Sequence, residues 1–134
     1  MADYHKAGLL VLRGGCILLC RKRHTTELLI LPGGCLETGE NSEECIKREV
    51  QEELGNISVS GLEFVGTYSD VAAGGTGKIV QIELYRGDLS GEPAPQSEIK
   101  ELVWFSRHDD RRQLAPSIAN KILPDLISRR ILPW

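Results

Sequence analysis

The chain has 134 residues, 41% hydrophobic and 26% charged, with a formal net charge of −3, which one ordinary globular domain over 1–134 accounts for. That slight acidity gives no general attraction to nucleic acid or to an anionic membrane, so neither is an expected partner. The opening MADYHKAGLLVLRGG carries only a short apolar run broken by Arg13; no signal peptide or membrane span reads from it, and the cytoplasm is the expected compartment.

In chain order, Ala7 to Leu12 and Cys16 to Arg21 are apolar runs separated by Gly14-Gly15, a hairpin signal between two strands. Leu28 to Leu31, stopped by Pro32-Gly33-Gly34, is too short for a stable helix and suits a buried strand. A helix is expected from Asn41, whose side chain can cap it, with Glu44 three residues later completing a capping box. Ile46, Val50 and Leu54 recur every fourth residue as its buried stripe, and Gly55 ends it. Strands follow at Leu62 to Tyr68 and Lys78 to Arg86, joined through the glycine-rich Val71 to Gly77, and then at Ile99 to Phe105. Pro116 suits the first turn of a C-terminal helix carrying Ile118, Ile122 and Leu126, which Pro124 should kink or split. Strands enclosed by two helical segments make an α/β layered domain.

The chemistry concentrates at the end of the first helix, in Arg48-Glu49-Val50-Gln51-Glu52-Glu53, just after the Pro-Gly-Gly turn. Residues three and four apart meet on a helix surface, so Glu49, Glu52 and Glu53 are expected to converge. Like charges so placed repel, by roughly 0.2–0.5 kcal/mol per helical pair. A hard divalent cation removes that penalty and suits an all-oxygen ligand set, so the cluster reads as a magnesium site. Gly33 and Gly34 let backbone groups come close to such an ion and to phosphates.

The stretch from Gly34 to Asn56 resembles the Nudix box: Gly, five residues, Glu, seven residues, Arg-Glu, an aliphatic, any residue, Glu-Glu, any residue, Gly, then an aliphatic. It falls here on Gly34, Glu40, Arg48, Glu49, Val50, Glu52, Glu53 and Gly55. Only the last position departs, with Asn56 in place of the aliphatic and Ile57 one residue late. The resemblance implies the Nudix fold, a mixed β-sheet sandwiched between helices (α/β/α). It also implies metal-dependent hydrolysis, with magnesium or manganese, of the pyrophosphate bond in a nucleoside diphosphate linked to another group. On the family's pattern Glu49 and Glu53 are the first-choice metal ligands, joined by a backbone oxygen of Gly33 or Gly34. Glu52 is ligand or water-activating base, Arg48 orients a glutamate, and Glu40 braces the loop against the helix. Some members recruit a further glutamate from a distal loop; Glu98 is the preferred source here and Glu101 the second. Members acting on ADP-ribose often carry a proline shortly after the box, and Tyr68 to Gly77 has none. That tilts the expected substrate, a nucleotide-type small molecule, towards a nucleoside triphosphate. A homodimer is compatible with the resemblance. The alternative is a non-catalytic nucleotide-binding or sensor module on the same fold.

Other features take plainer readings. The cysteines Cys16, Cys20, Cys35 and Cys45 contain no Cys-x-x-Cys pair and read as buried, reduced thiols, with an oxidisable thiol at Cys35, inside the functional turn, as the alternative there. Gly75-Thr76-Gly77-Lys78 fails the phosphate-loop pattern, because Ala72 stands at the first glycine and no Ser or Thr follows Lys78; it reads as a substrate-side loop. Arg21-Lys22-Arg23-His24 reads as a solvated strand end, with a phosphate contact as its functional reading. Trp104 reads as core.

Overall fold

The structure, a computed structural model, describes residues 1–24 and 26–134. Strand β1 (Tyr4–Leu10) runs through its middle, and its last four residues are buried on both sides. Ala7 and Leu9 join one apolar cluster, while Leu10 faces the other. Around β1 forms a mixed four-stranded sheet in the order β4-β1-β6-β5, from β4 (Gly33–Cys35), β5 (Val59–Val71) and β6 (Ile79–Leu89). β1 is parallel to β6 and antiparallel to β4. A second, antiparallel sheet joins β2 (Leu12–Arg13), β3 (Cys16–Lys22) and β7 (Ile99–Phe105).

Gly14 and Gly15 both hold positive φ, 56° and 78°, and make the tight turn between β2 and β3. The run expected as one strand from Ala7 to Leu12 is thus divided. The chain leaves one sheet after Leu10 and enters the other at Leu12, which pairs with Ile17. Leu28 to Leu31 also differs from expectation. It makes only isolated bridges, Leu29 to Leu114 and Ile30 to Cys20, and the strand forms at the glycines beyond it. Gly33, at φ 137°, explains why: a Cβ there would stand 2.1 Å from the Ala7 carbonyl oxygen. The close β4–β1 pairing requires glycine.

Helix α1 (Ser42–Leu54) begins as its residues dictate. The Asn41 side chain accepts the Glu44 N–H at 2.8 Å, and Glu44 Oε1 accepts the Asn41 N–H at 3.0 Å. Cys45, Ile46, Val50 and Leu54 bury one face of α1 against Ala7, Leu9, Val11 and Leu18, at roughly 1.5–3 kcal/mol for each large aliphatic side chain. Its C-terminal carbonyls are satisfied from afar: Ala94 N–H donates to Leu54 O and Gln96 N–H to Glu53 O, both at 3.0 Å. The loop before β7 is thereby tied to the end of α1.

On the opposite face a second cluster includes Leu10, Ile17, Ile82, Leu84 and Phe105 with the C-terminal helical segment. That segment contains a π-turn, Ile118–Ile122, and then α2 (Leu123–Ser128) with Pro124 in its first turn. Pro124 has no N–H for the preceding turn, and the wider π-turn relieves the clash; this is the interruption the sequence led one to expect. Tyr68 Oη donates to Asp125 Oδ2 at 2.5 Å and fastens α2 to β5. Among the described residues no helix is long and apolar enough to cross a membrane.

Candidate active site

Glu49 and Glu53 lie one helical turn apart on α1, facing the Gly33-Gly34 corner of β4. Glu53 is only 5% exposed, and its Oε1 accepts the Gly33 N–H at 2.9 Å. Glu49 rests over Gly34, where a Cβ would come within 2.5 Å of Glu49 Oε1. The missing Gly34 side chain is what makes room for the Glu49 carboxylate. Burial pushes the Glu53 carboxyl up to about 7, and repulsion from Glu49 adds to this; the Gly33 N–H, Lys22 and Lys6 oppose it. Glu49 is raised as well, first by burial, against the opposing pull of Arg48.

Glu52 is the exposed member of the three and meets Glu49 through the shared Arg48 Nη1. Its side chain is 54% exposed and lies 3.4 Å from Arg48 Nη1, so the sequence expectation of three converging carboxylates resolves into a buried pair and an outlying third. Among the described residues no group of three or more His, Cys, Asp or Glu side chains is gathered closely enough to chelate an ion. The pair still suits a divalent cation: its donors are all oxygen, a bound cation would offset the burial and mutual repulsion that the two carboxylates suffer when ionised, and Glu53 makes no ion pair among the described residues.

Arg48 ties the site together. Its Nε and Nη2 donate to both oxygens of Glu40 at 2.7 and 2.9 Å, and Nη1 donates to Glu49 Oε1 at 2.8 Å. Nη2 also reaches the Cys35 carbonyl at 3.2 Å. The Arg48 hydrogen bonds hold the Glu40 carboxyl at about 2 and keep the guanidinium protonated well above its ordinary range. Glu40 further accepts the Glu37 N–H at 3.0 Å. Loop 37–40 is thereby braced against α1, and Glu49 is fixed from the side away from Glu53.

The two distal glutamates divide. Glu101 is paired with Arg21. Glu98 is exposed in the turn that enters β7, and its carbonyl accepts the Arg23 N–H at 2.9 Å. This turn follows Gln96, which is bonded to the Glu53 carbonyl, so Glu98 belongs to the loop crossing the end of α1.

A cleft of about 260 Å³ opens beside the corner, lined by Tyr4, Lys6, Lys22, Cys35 and the β5–β6 hairpin tip at Ala72 to Gly74 and Thr76. It continues inward as an apolar recess of about 60 Å³ reaching Gly33, Gly34 and Ser117. Lys6 and Lys22 act on Glu53 from this side, and Lys22 acts on Glu49 as well. The sequence reading singled out Lys22 but missed Lys6 and Tyr4. The signal was the alternation Tyr4, Lys6, Gly8 on one side of β1, hidden by starting the strand at Ala7. Of the remaining RKRH residues, Arg21 is spent on Glu101, the Glu27 carbonyl and Gln113, while Arg23 and His24 are exposed. Of the four thiols expected to be buried, Cys20 and Cys45 are, and burial pushes them up to about 12 and 11, which makes them unreactive; Cys16 is half-buried beside the Gly14-Gly15 turn, and Cys35 is exposed at the end of β4. Trp104 packs on the α1-side core with the Arg13 guanidinium 5.3 Å above its ring.

The NUDIX domain family matches residues 5–126. The chain belongs to this family. Its curated relatives include the NAD-capped RNA hydrolase NudC of Pseudomonas putida (strain GB-1), 33% identical over 129 residues, covering 92% of this chain and 44% of that protein. The Pseudomonas aeruginosa (strain LESB58) NudC is 34% identical over 100 residues, covering 73% of this chain and 34% of that protein. The chain spans less than half the length of these relatives. Among solved structures, the MutT NUDIX hydrolase from Burkholderia pseudomallei has 27% identity and a TM-score of 0.69, covering 80% of this chain and 85% of that one. The E. coli ORF135 protein, at 24% identity, superposes with a TM-score of 0.76 over 99% of this chain and 95% of its own, and shows the shared fold. The Nudix fold read from the box is therefore borne out. Relatives that are hydrolases favour a Nudix-type pyrophosphohydrolase over a non-catalytic binding module. Divalent metal is the general cofactor of such hydrolases.

Proposed function

We propose that this Nudix domain hydrolyses the pyrophosphate bond of a nucleoside diphosphate linked to another group, with magnesium or manganese as its metal. The observation that carries the reading is the buried Glu49–Glu53 pair at the glycine corner, whose two glycines line the inner recess of a cleft that carries Lys6 and Lys22. Glu49 and Glu53 would hold the ion, with a backbone oxygen of Gly33 or Gly34. When bound, it neutralises phosphate charge and polarises the attacking water.

The chain's own residues do the rest. Arg48 keeps the Glu49 carboxylate aimed at the corner, and the Gly33 N–H does the same for Glu53. Lys6 and Lys22 bind non-bridging phosphate oxygens as point charges. Glu52, the exposed member of the helix trio, takes the proton from water, with Glu98 on the neighbouring loop as the other carboxylate for that role. The recess at Ser117 excludes water from one side of the substrate.

A nucleoside triphosphate is the substrate favoured by the sequence, which has no proline between Tyr68 and Gly77. The second reading, a NAD-type dinucleotide end, rests on the printed substrate of the NudC relatives. Since that substrate is an RNA, the exclusion of nucleic acid is not carried forward. The test is a panel of nucleoside triphosphates, NAD, ADP-ribose and NAD-capped RNA, incubated with magnesium or manganese, with products identified by mass. Cleavage within a diphosphate is expected, lost by at least about 100-fold in Glu53→Gln. Unaltered turnover in that variant removes Glu53 from the site.

A further inference from the structure

We propose that Tyr4 is the platform on which the substrate's base stacks, so that β1 alone sets the spacing between base and diphosphate. This rests on the hydrolase reading above and adds a recognition residue to it. Tyr4, Lys6 and Gly8 alternate along β1 and share the side facing the second core cluster, where Tyr4 and Leu10 also pack. Gly8 is paired with Gly33 at the corner and Lys6 with Cys35 beside it. At about 3.3 Å per strand residue, Tyr4 stands about 13 Å from Gly8, with Lys6 midway. An extended nucleotide has a comparable span from its diphosphate to the far edge of its base. A substrate with its diphosphate at the corner and its sugar past Lys6 brings its base to Tyr4.

Two further observations point the same way. Tyr4 is the aromatic residue among those lining the cleft, and it is half-buried, so its ring is held by packing while still reaching the cavity. Its π-face is in use: the Lys78 ammonium, on an exposed side chain, stands 5.7 Å from the ring centroid. A cation–π contact on an exposed lysine is weak and exchangeable. A base stacking on the ring replaces one π-face partner with a broader one, and the hairpin tip at Ala72 to Gly74 and Thr76 forms the facing wall.

The experiment compares the full chain with Tyr4→Phe, Tyr4→Leu, Tyr4→Ala and Lys78→Ala. It reads kcat and KM on the best substrate of the panel, and Kd for ADP and for inorganic tripolyphosphate by equilibrium dialysis. Phe is expected to match wild type within about twofold. Leu and Ala should raise KM and the ADP Kd roughly tenfold, as loss of base stacking does, with kcat and the tripolyphosphate Kd within about twofold. Lys78→Ala should leave the ADP Kd unchanged or lower. The proposal is overturned if Leu matches Phe, which makes Tyr4 a packing residue only. It is also overturned if tripolyphosphate weakens in step with ADP, if Lys78→Ala costs as much as Tyr4→Leu, or if wild type does not bind ADP. Should wild type turn over nothing while the ADP pattern appears, the hydrolase reading fails and Tyr4 keeps its role.

Discussion

Glu53→Gln is expected to separate stability from activity in a pH-dependent way. In the folded chain burial raises the Glu53 carboxyl from 4.5 to about 7. Between those values the folded state holds a proton that the unfolded state has released, so stability falls as pH rises through the window. The separation of about 2.5 units corresponds to about 3 kcal/mol, at 1.36 kcal/mol per unit. Glutamine cannot ionise, yet its Oε1 can still accept the Gly33 N–H. The variant should match wild type near pH 4.5 and be more stable by up to about 3 kcal/mol at pH 8. Urea unfolding in the presence of a chelator, at pH 4.5, 6 and 8, measures this directly. Magnesium at pH 8 should then narrow the gap, because it stabilises only the chain whose carboxylate can bind it. A constant difference across pH, or a less stable variant at pH 8, would refute the claim that Glu53 is buried at an energetic cost.

Two substitutions test the corner and the helix start. In Gly34→Ala the new Cβ meets the Glu49 carboxylate at 2.5 Å, a side chain that can move aside. Activity is expected to fall about 100-fold through that misplacement, while the melting temperature changes little; Gly33→Ala, meeting a backbone oxygen at 2.1 Å, should instead fail to fold stably in a denaturation assay. Asn41→Ala removes one half of the capping box and should cost about 1 kcal/mol in urea unfolding, with turnover per folded molecule unchanged.

Local features were legible because their causes are local. Asn41 and Glu44 announce the start of α1, the Ile46-Val50-Leu54 stripe announces its buried face, and Ile99 to Phe105 forms a strand with the expected bounds. The box spacing located the acidic pair. What the residues did not disclose was orientation. At about 100° per residue, positions 49 and 53 lie about 40° apart around the helix, whereas 52 lies about 100° from 53. Spacing of three and four alone therefore overstated the convergence. The change of sheet at Val11 and the β4 strand at Gly33 depend on pairings between distant segments. Lys6 and Tyr4 entered the cleft for the same reason: β1 meets β6, more than seventy residues away, in parallel register. No periodicity within β1 reveals that neighbour.

The Gly33 N–H that seats Glu53 belongs to the same short stretch of chain as Arg48 and Glu40, whereas Tyr4, Lys6, Lys22 and the hairpin tip come from β1, β3 and the β5–β6 turn. On the proposed reading the metal-holding carboxylates and the arginine that orients Glu49 come from one contiguous segment, and the groups that would meet the ligand are scattered over the remainder. Exchanging residues on those strands could retarget the domain to a new molecule while leaving its cutting apparatus whole, since no hydrogen bond inside the carboxylate–guanidinium lattice would need to be remade.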